Sequence, residues 1–259
     1  MTMQDGGRFA QYEHEVYEVL RTFGEPERVE EARNDKQSQL EFLAVRVPTI
    51  RRAVRSGFSF YSRSADDILA IWSGIWFSSP YFEVMAAAGV YYSLQRAKID
   101  PDAWPTLATW SSRVENWAHA DQLAGIYSYL LEQRTTDVYP QLQEWNASDD
   151  QWRRRLSLVS LIHYTGKNAV FLSPERVFPL IINCLDDERY YVQKAVGWVL
   201  RELGQVYPQA VDAFLQTHLT RLPPLAFARA IERHTSEERA LLQAHRKQAK
   251  GCAPAPGGE

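Results

Sequence analysis

The sequence contains little cysteine, no long apolar run and no metal or nucleotide motif. The two cysteines in 259 residues, Cys184 and Cys252, are far apart and lack C-x-x-C or Cys/His ligand spacing, which argues against a disulfide framework and a structural zinc site. Residues 1–7 are polar, and no stretch approaches the about 18 consecutive apolar residues of a spanning helix, so neither a signal peptide nor a membrane segment is predicted. A soluble protein of the reducing cytoplasm is expected.

Histidine is also sparse, and its positions do not favour metal chemistry. Four histidines share no ligand spacing, namely His163, His218, His234 and His245. The patterns G-x-S-x-G and G-x-G-x-x-G and the P-loop are absent. The sequence therefore predicts neither a metal nor an organic cofactor.

Neither positive nor negative charge predominates in the sequence. The chain has 29 Lys and Arg against 32 Asp and Glu, a formal net charge of -3, so any contact with nucleic acid requires a local basic patch. Acidic residues concentrate early, at Glu25, Glu27, Glu30 and Glu31. Basic residues gather at two places, Arg46 with Arg51, Arg52 and Arg55, and then Arg153, Arg154 and Arg155. This segregation permits a basic face, and the second cluster implies an anionic partner.

Apolar residues recur at helical spacing through most of the chain, as in Phe9, Tyr12, Val16, Val19 and Phe23. Alternating strand patterns are hard to find. The sequence thus predicts an all-α fold of roughly a dozen helices of about 10–18 residues each. Predicted helix starts are Ser64, Ser79, Asp100, Ser148, Ser173 and Ser236, and predicted ends are Gly57, Gly166 and Gly204.

Apolar segments of similar character recur along the chain, at intervals mostly within the about 33–47 residues of helical-pair repeats. They are residues 84–90, 155–161, 194–200 and 227–231. This recurrence predicts an α-α superhelix, a solenoid of HEAT-like repeats whose second helices line a concave, basic groove. We expect residues 1–250 to form one repeat domain and the Pro/Gly-rich tail, 251–259, to be disordered.

Three stretches carry the functional signal. Residues 116–121 read N-W-A-H-A-D, and helical spacing places Trp117 and Asp121 on one face. Residues 152–155 read W-R-R-R, and residues 193–202 read Q-K-A-V-G-W-V-L-R-E. A large aromatic side chain beside a carboxylate is unfavourable in a hydrophobic core. The pairing in residues 116–121 therefore indicates a functional role.

These stretches resemble the bacterial DNA alkylation repair glycosylases built from HEAT-like repeats, the AlkD-like alkylpurine DNA glycosylases. Residues 193–202 are similar, almost letter for letter, to that family's Q-K-A-I-G-W-V-L-R-E segment, and residues 117–121 are similar to its W-x-x-x-D helix. Residues 152–155, followed by Tyr164, resemble its W-x-x-R helix. The likeness covers roughly residues 35–235, with weaker echoes at each end.

The resemblance implies a site and an activity. Trp117 and Trp198 would flank the damaged base, Asp121 would act at its deoxyribose, and Arg155 would hold a backbone phosphate. Further DNA-binding residues implied are Arg153, Arg154, Lys194 and Arg201. The implied protein is a monofunctional glycosylase of base excision repair, a monomer that acts on double-stranded DNA containing alkylated bases and associates with the nucleoid through that DNA.

The chemistry suits these residue types. A purine alkylated at N3 or N7 carries a positive charge and leaves readily, so the enzyme has mainly to stabilise an oxocarbenium-like sugar and guide water. Opposite unit charges about 4 Å apart attract by roughly 4 kcal/mol at an effective dielectric near 20, a contribution within reach of Asp121. Indole rings near a cationic nucleoside add about 0.5–2 kcal/mol each, which Trp117 and Trp198 would supply.

Two regions depart from the family pattern. Residues 33–37 (R-N-D-K-Q) stand where the family often has a tyrosine or a basic stretch before its F-x-G-V segment. Residues 81–85 (Y-F-E-V-M) replace a typical H-E-x-R helix. The family's N-terminal DNA contacts are therefore not carried over to this chain.

Plainer interpretations exist for the same residues. Trp117 with Asp121 also fits a half-buried tryptophan beside a solvated acid, Trp198 fits a core position, and Arg153 and Arg154 fit a solvated helix face. His119 lies two positions from both Trp117 and Asp121 and is interpreted as a surface residue. Five tryptophans are assigned to packing between helices, namely Trp72, Trp76, Trp104, Trp110 and Trp145.

Two rival functions follow from these interpretations. The first is a non-catalytic HEAT-repeat DNA-binding or scaffold protein related to the glycosylases. The second is a solenoid that binds only proteins, which predicts no salt-sensitive affinity for DNA. Excision of a methylated base from duplex DNA separates the glycosylase from both.

Overall fold

The structure is a computed structural model that describes residues 9–162 and 172–251, and within these ranges the regular backbone is helical. Its α-helices are α1 (Ala10–Arg21), α2 (Val29–Lys36), α3 (Val47–Ser56), α4 (Ala65–Ser78), α5 (Phe82–Gln95), α6 (Trp104–Thr109), α7 (Trp117–Gln133), α8 (Thr135–Asn146), α9 (Gln151–Val159), α10 (Pro174–Ile182), α11 (Tyr190–Val206), α12 (Pro208–Thr217), α13 (Pro224–Ala230) and α14 (Ser236–Gly251). Short 3-10 turns connect several of them, and one isolated backbone bridge joins Glu41 to Tyr81. The predicted all-α class is confirmed.

Several predicted helix boundaries are confirmed. Ser64 caps α4, since its hydroxyl accepts from the Asp67 N–H at 3.1 Å and donates to the Asp67 carboxylate at 2.8 Å. Ser173 precedes α10, whose first residue is proline, and Asp100 caps a 3-10 turn. Gly57 ends α3 with a φ of 93°, a region that glycine enters without steric cost.

Other predicted boundaries are wrong for identifiable reasons. Gly204 lies inside α11, which continues to Val206 because burial of its apolar face outweighs glycine's low helix propensity. Ser148 does not cap α9; the Asp150 carboxylate does, accepting from the N–H of Trp152 at 2.7 Å. After Ser79 the helix begins only at Phe82. Gly166 lies outside the described residues.

Contacts divide the chain into two compact units, Met1–Val138 and Tyr139–Glu259. In the first unit α5 is central and packs against the helices α1, α3, α4 and α7. Trp72, Trp76 and Trp110 are fully buried there, and the Trp76 and Trp110 rings stack 5.0 Å apart. Trp104 and, in the second unit, Trp145 are buried too, so the packing assignment of all five tryptophans is confirmed.

In the second unit α11 is the central helix. It packs against α9 and α13, with α12 following it in contact. Helix α13 approaches α11 closely at Gly197, where an added Cβ would lie 2.5 Å from the carbonyl oxygen of Ala226 and 2.6 Å from Arg229 Cβ. The predicted single domain over residues 1–250 stays a prediction, and most of the predicted tail, 252–259, lies outside the described residues.

Candidate active site and nucleic-acid interface

The start of α7 positions the first two predicted site residues. The Asn116 side chain caps the helix by accepting from the His119 N–H at 2.9 Å, which fixes the first turn. Trp117 and Asp121 then lie one turn apart on the same face, and both are partly exposed. The predicted pairing of an indole with a carboxylate on one helix face is therefore present in the first unit.

The segment that departs from the family pattern packs directly on this helix start. The Trp117 indole N–H donates to the Asp35 carbonyl oxygen at 3.0 Å. The Glu115 carboxylate accepts from the Ser38 hydroxyl and from the Gln39 N–H, the latter at 2.9 Å. Residues 35–40 are thus anchored at the start of α7 through the side chains of Glu115 and Trp117.

Lys36 brings a positive charge to the same place. Its ammonium nitrogen lies 4.4 Å from the centre of the Trp117 ring and also pairs with the Asp35 carboxylate. This distance is within the range of a cation–π interaction. The indole predicted to contact a cationic base therefore already holds a cation against it.

His119 is not a surface residue, and that prediction is wrong. Its side chain is 1% exposed, and its ring stacks on Phe82 with centroids 4.4 Å apart and planes 9° apart. Nδ1 accepts from the Asn116 amide at 3.2 Å, and Nε2 donates to the Phe82 carbonyl oxygen at 3.2 Å. The side chain at position 119 faces α5. The sequence of α7 alone does not show which side of the helix α5 covers.

Both ring nitrogens of His119 are thus satisfied in the neutral form. Burial lowers the pKa of His119 to about 3, with the nearby Arg113 charge acting in the same direction. The imidazole is a neutral packing group and not an acid–base catalyst at neutral pH. Its role is to fix α7 against α5, and with it the direction of Trp117 and Asp121.

Residues 81–85, the second region that differs from the family pattern, also have a structural role. Glu83 is buried, and its two carboxylate oxygens accept from the N–H groups of Leu43 at 2.9 Å and Val45 at 3.2 Å. Burial raises the pKa of Glu83, while these backbone N–H groups act to lower it. Between them Ala44 adopts a positive φ of 56°, a conformation that residues other than glycine rarely adopt.

In the second unit, Arg155 lies on α9 but is 2% exposed. Its Nη1 donates to the Tyr191 carbonyl oxygen at 2.7 Å, and the guanidinium carbon lies 5.9 Å from the Tyr191 ring centre. Tyr191 also contacts Trp152, with ring centroids 4.9 Å apart. Arg155 therefore joins α9 to the start of α11, and its predicted phosphate contact stays a prediction.

The neighbouring arginines differ from each other. Arg154 forms an ion pair with Asp187 at 3.1 Å and donates to the Asn183 carbonyl oxygen at 2.6 Å, so it fastens α9 to the turn after α10. Arg153 is partly exposed. The Nε atom of Arg153 is buried, so neither arginine lies fully on a solvated face.

The motif on α11 combines packing and surface positions. Gly197 makes the close contact with α13, whereas the next residue, Trp198, is partly exposed. Lys194, also partly exposed, lies 5.6 Å from the ring of the exposed Tyr190. Lys194 and Trp198 are thus both partly exposed in the second unit, and their roles at DNA stay predictions.

Arg201, predicted to bind DNA, is engaged by carboxylates. It donates to Glu202 at 3.0 and 3.1 Å and pairs with Glu232, while Arg233 also contacts Glu202 at 3.0 Å. Glu202 is buried, which makes this network part of the packing between α11 and the residues after α13. A DNA phosphate would have to displace the carboxylates of Glu202 and Glu232 in order to bind the Arg201 guanidinium.

Sequence reasoning missed Lys36, Glu115 and Tyr191. Lys36 and Trp117 are 81 positions apart, so no local spacing connects them; the only hint is that residues 33–37 depart from the family pattern.

Within the described ranges, no group of three or more His, Cys, Asp or Glu side chains could hold a metal ion. Among the same residues, no helix combines the length and apolar character needed to cross a bilayer.

Comparisons with known proteins bear on the fold and the family of the chain. The chain is similar in structure to a protein described as a predicted DNA alkylation repair enzyme from Enterococcus faecalis, with a TM-score of 0.69, 15% identity, and coverage of 82% of this chain and 97% of that one. It is also similar to AlkD2 from Streptococcus mutans, with a TM-score of 0.53, 15% identity, and coverage of 93% and 98%. At these identities the likeness shows the fold.

A third similar structure is the alkylpurine DNA glycosylase AlkC of Pseudomonas fluorescens, bound to DNA containing an abasic site analog. The TM-score is 0.55 at 12% identity, with coverage of 92% of this chain and 66% of that one. No curated protein sequence matches the chain. The sequence profile described as DNA alkylation repair enzyme matches residues 16–234.

The chain therefore belongs to the DNA alkylation repair enzyme family. This confirms the resemblance inferred from the three sequence stretches and the predicted fold of helical repeats. The concave basic groove stays a prediction.

Proposed function

We propose that this protein is a DNA glycosylase that hydrolyses the N-glycosidic bond of cationic alkylated purines, such as N3-methyladenine and N7-methylguanine, in double-stranded DNA. The observation that carries the proposal is the pairing of Trp117 and Asp121 on one face of α7 in a member of the DNA alkylation repair family. The similarity to a glycosylase solved with DNA supports the choice of partner.

Asp121 has the central role. As the base leaves with its bonding electrons, positive charge develops on the deoxyribose, and the carboxylate stabilises that charge and orients the attacking water. The base is already cationic and leaves as a neutral purine, so no acid has to protonate it. The products are the free base and an abasic site.

Trp117 supplies an aromatic surface beside the nucleoside. An indole near a cationic base contributes about 0.5–2 kcal/mol and shields the site from water. Its Asp35 hydrogen bond and the capped helix start hold the ring in place before DNA binds. The roles of Trp198 beside the base and of Arg155 at a phosphate rest on the family motif and stay predictions.

The decisive experiment compares Asp121→Asn with the unaltered protein in single-turnover release of N7-methylguanine from duplex DNA. The variant keeps the size of the side chain and removes its charge, so a loss of about 2 kcal/mol would slow excision by well over tenfold. Glu132→Gln, at an exposed acid on the same helix, is the matched control and keeps the full rate. Equal rates for Asp121→Asn and the unaltered protein would remove Asp121 from the chemistry.

A specific observation favours a second candidate, a non-catalytic DNA-binding relative. The ammonium of Lys36 already lies against Trp117, the ring that a cationic base is proposed to use. In that case the unaltered protein binds duplex DNA with a clear salt dependence but releases no methylated base. The same single-turnover assay, run beside a binding titration, separates the two functions.

A further inference from the structure

The arginines that the family motif assigns to phosphate are largely engaged inside the second unit. Arg154 pairs with Asp187, and Arg201 pairs with Glu202 and Glu232. An arginine already paired with a carboxylate loses that pair when it binds phosphate, so its net contribution to DNA affinity is small. A strong DNA contact requires cations without an acid partner.

Such a group lies on α3 in the first unit. The helix reads V-P-T-I-R-R-A-V-R-S and contains no acidic residue. Its buried face consists of Ile50, Ala53 and Val54, and the arginines occupy the opposite side. At about 100° per residue, Arg51, Arg52 and Arg55 fall within an arc of about 100° and within about 6 Å along the axis.

All three of these arginines are exposed. In the part of the chain that the structure describes, none of them forms an ion pair, and the only side-chain hydrogen bond from the group runs from Arg52 to the Thr49 hydroxyl at 3.4 Å. Arg46, just before the helix, differs from these three because it pairs with Glu25 at 2.9 Å. The α3 cluster thus concentrates three unneutralised charges on a protein whose formal net charge is -3.

The position of α3 connects this cluster to the candidate site. Within the first unit α3 packs against α5, and α5 packs against α7, the helix that carries Trp117 and Asp121. The α3 arginines are therefore fixed, through one intervening helix, to the element that holds the proposed catalytic carboxylate. DNA binding at both α3 and α7 would therefore involve helices of one compact unit.

We propose that Arg51, Arg52 and Arg55 bind the phosphate backbone of duplex DNA beside the lesion and supply a main part of its affinity. The inference rests on the proposed function in taking DNA as the partner. Guanidinium groups suit this role because they are planar, always charged and able to donate two parallel hydrogen bonds to phosphate oxygens. Contacts of this kind are independent of base sequence and of alkylation.

The test is the salt dependence of binding to an undamaged duplex by the full chain, with Arg51→Gln/Arg55→Gln against the unaltered protein. Loss of two phosphate contacts lowers the slope of log affinity against log salt by about 1.8 and weakens binding by about tenfold or more near 0.1 M salt. Helix content by circular dichroism checks that the variant is folded. An unchanged slope in a folded variant would overturn the proposal.

Arg21→Gln/Arg28→Gln is the matched control. Both lie in the same unit, Arg21 exposed and Arg28 partly exposed, and each is paired with glutamate, Arg21 at 2.6 Å and Arg28 at 3.0 Å. The control removes the same formal charge and leaves the slope within about 0.5 of the unaltered value. An equal fall in both double variants would show that only net charge matters and would overturn the assignment to α3.

Because the probe is undamaged DNA, the result does not depend on excision. Salt-dependent binding that is lost in the α3 variant, in a protein that releases no methylated base, supports the α3 surface and contradicts the glycosylase proposal. Excision of the methylated base, together with an unchanged slope in the α3 variant, supports the glycosylase proposal and contradicts the α3 surface. A protein that binds no duplex at all contradicts both.

Discussion

The ammonium of Lys36 lies 4.4 Å from the centre of the Trp117 indole ring, and the same ring donates its N–H to the carbonyl oxygen of the residue before Lys36. Two adjacent residues of one segment therefore hold the edge of the indole and place a cation against it. For an enzyme that acts on cationic bases, this contact introduces a like charge at the place where the base is proposed to lie.

Lys36→Met should increase the preference of the protein for DNA containing a cationic base. The methionine keeps most of the alkyl chain and removes a charge that repels the methylated purine and competes for the indole. We expect the ratio of affinity for N7-methylguanine duplex to affinity for undamaged duplex to rise severalfold. Taking the ratio cancels any general loss of backbone affinity.

Lys98→Met, at an exposed lysine of the same unit, is the control for this experiment and leaves the ratio unchanged. A ratio that stays constant or falls in Lys36→Met would show that the ammonium does not oppose the lesion.

Replacing His119 should change how stability depends on pH. The folded protein holds this imidazole neutral, with its pKa lowered to about 3 by burial, whereas an unfolded histidine takes up a proton near pH 6.5. From about pH 6.5 down to about pH 3 the unfolded state therefore binds one more proton. This lowers the free energy of unfolding by up to about 1.4 kcal/mol per pH unit.

His119→Gln removes this proton uptake, so urea unfolding between pH 7.5 and pH 5 should show a shallower decline in stability than the unaltered protein. The variant is also less stable at pH 7.5, since the stack on Phe82 is lost. His14→Gln, on the exposed side of α1, controls for loss of an imidazole as such. An identical slope in His119→Gln would mean that His119 does not carry this part of the acid sensitivity.

Two glycines of α11 should respond oppositely to alanine. At Gly197 a methyl group would lie 2.5 Å from the Ala226 carbonyl oxygen, so α13 has to move and the expected loss is about 1–3 kcal/mol of unfolding free energy. At Gly204 the nearest atom is 3.6 Å away, and alanine's better helix propensity stabilises by about 0.5–1 kcal/mol. Thermal unfolding of the two variants measures both signs, and a stable Gly197→Ala would contradict the close packing.

Glu83→Gln should loosen the segment before α3. The amide keeps one acceptor oxygen but presents an NH₂ group to the other backbone N–H, either that of Leu43 or that of Val45. An unsatisfied buried donor costs about 1–3 kcal/mol, which urea unfolding detects. Glu27→Gln, at an exposed acid, controls for the loss of charge. No difference between the two variants would show that the carboxylate does not hold this segment.

The helical fold and the α7 pairing could be predicted from the sequence because both depend on spacing within one helix. The burial of His119 could not, because it depends on where α5 lies, and neither could the contact of Lys36 with Trp117, because it joins residues far apart in the chain. Arg155 shows the same limit. An arginine in a basic cluster suggests an exposed charge, yet the neighbouring Tyr191 encloses it.

Predicted boundaries are wrong where one local signal competes with another. Ser148 and Asp150 both suit a cap, and the aspartate occupies the position because its carboxylate reaches the N–H groups of Trp152 and Arg153. Gly204 suggests a helix end although the apolar spacing continues through it. Capping geometry decides the first case, and packing of the apolar face of α11 decides the second.

The contact at Gly197 bears on how the segment 193–202 should be used in comparing genomes. A glycine at this position is required for α11 and α13 to meet, whether or not the neighbouring tryptophan ever contacts DNA. Selection for folding alone is enough to preserve the glycine and the apolar residues around it after catalysis has been lost. A sequence search with this segment therefore identifies proteins that share the fold. Relatives that have lost the repair activity and gained another function will be found by the same search.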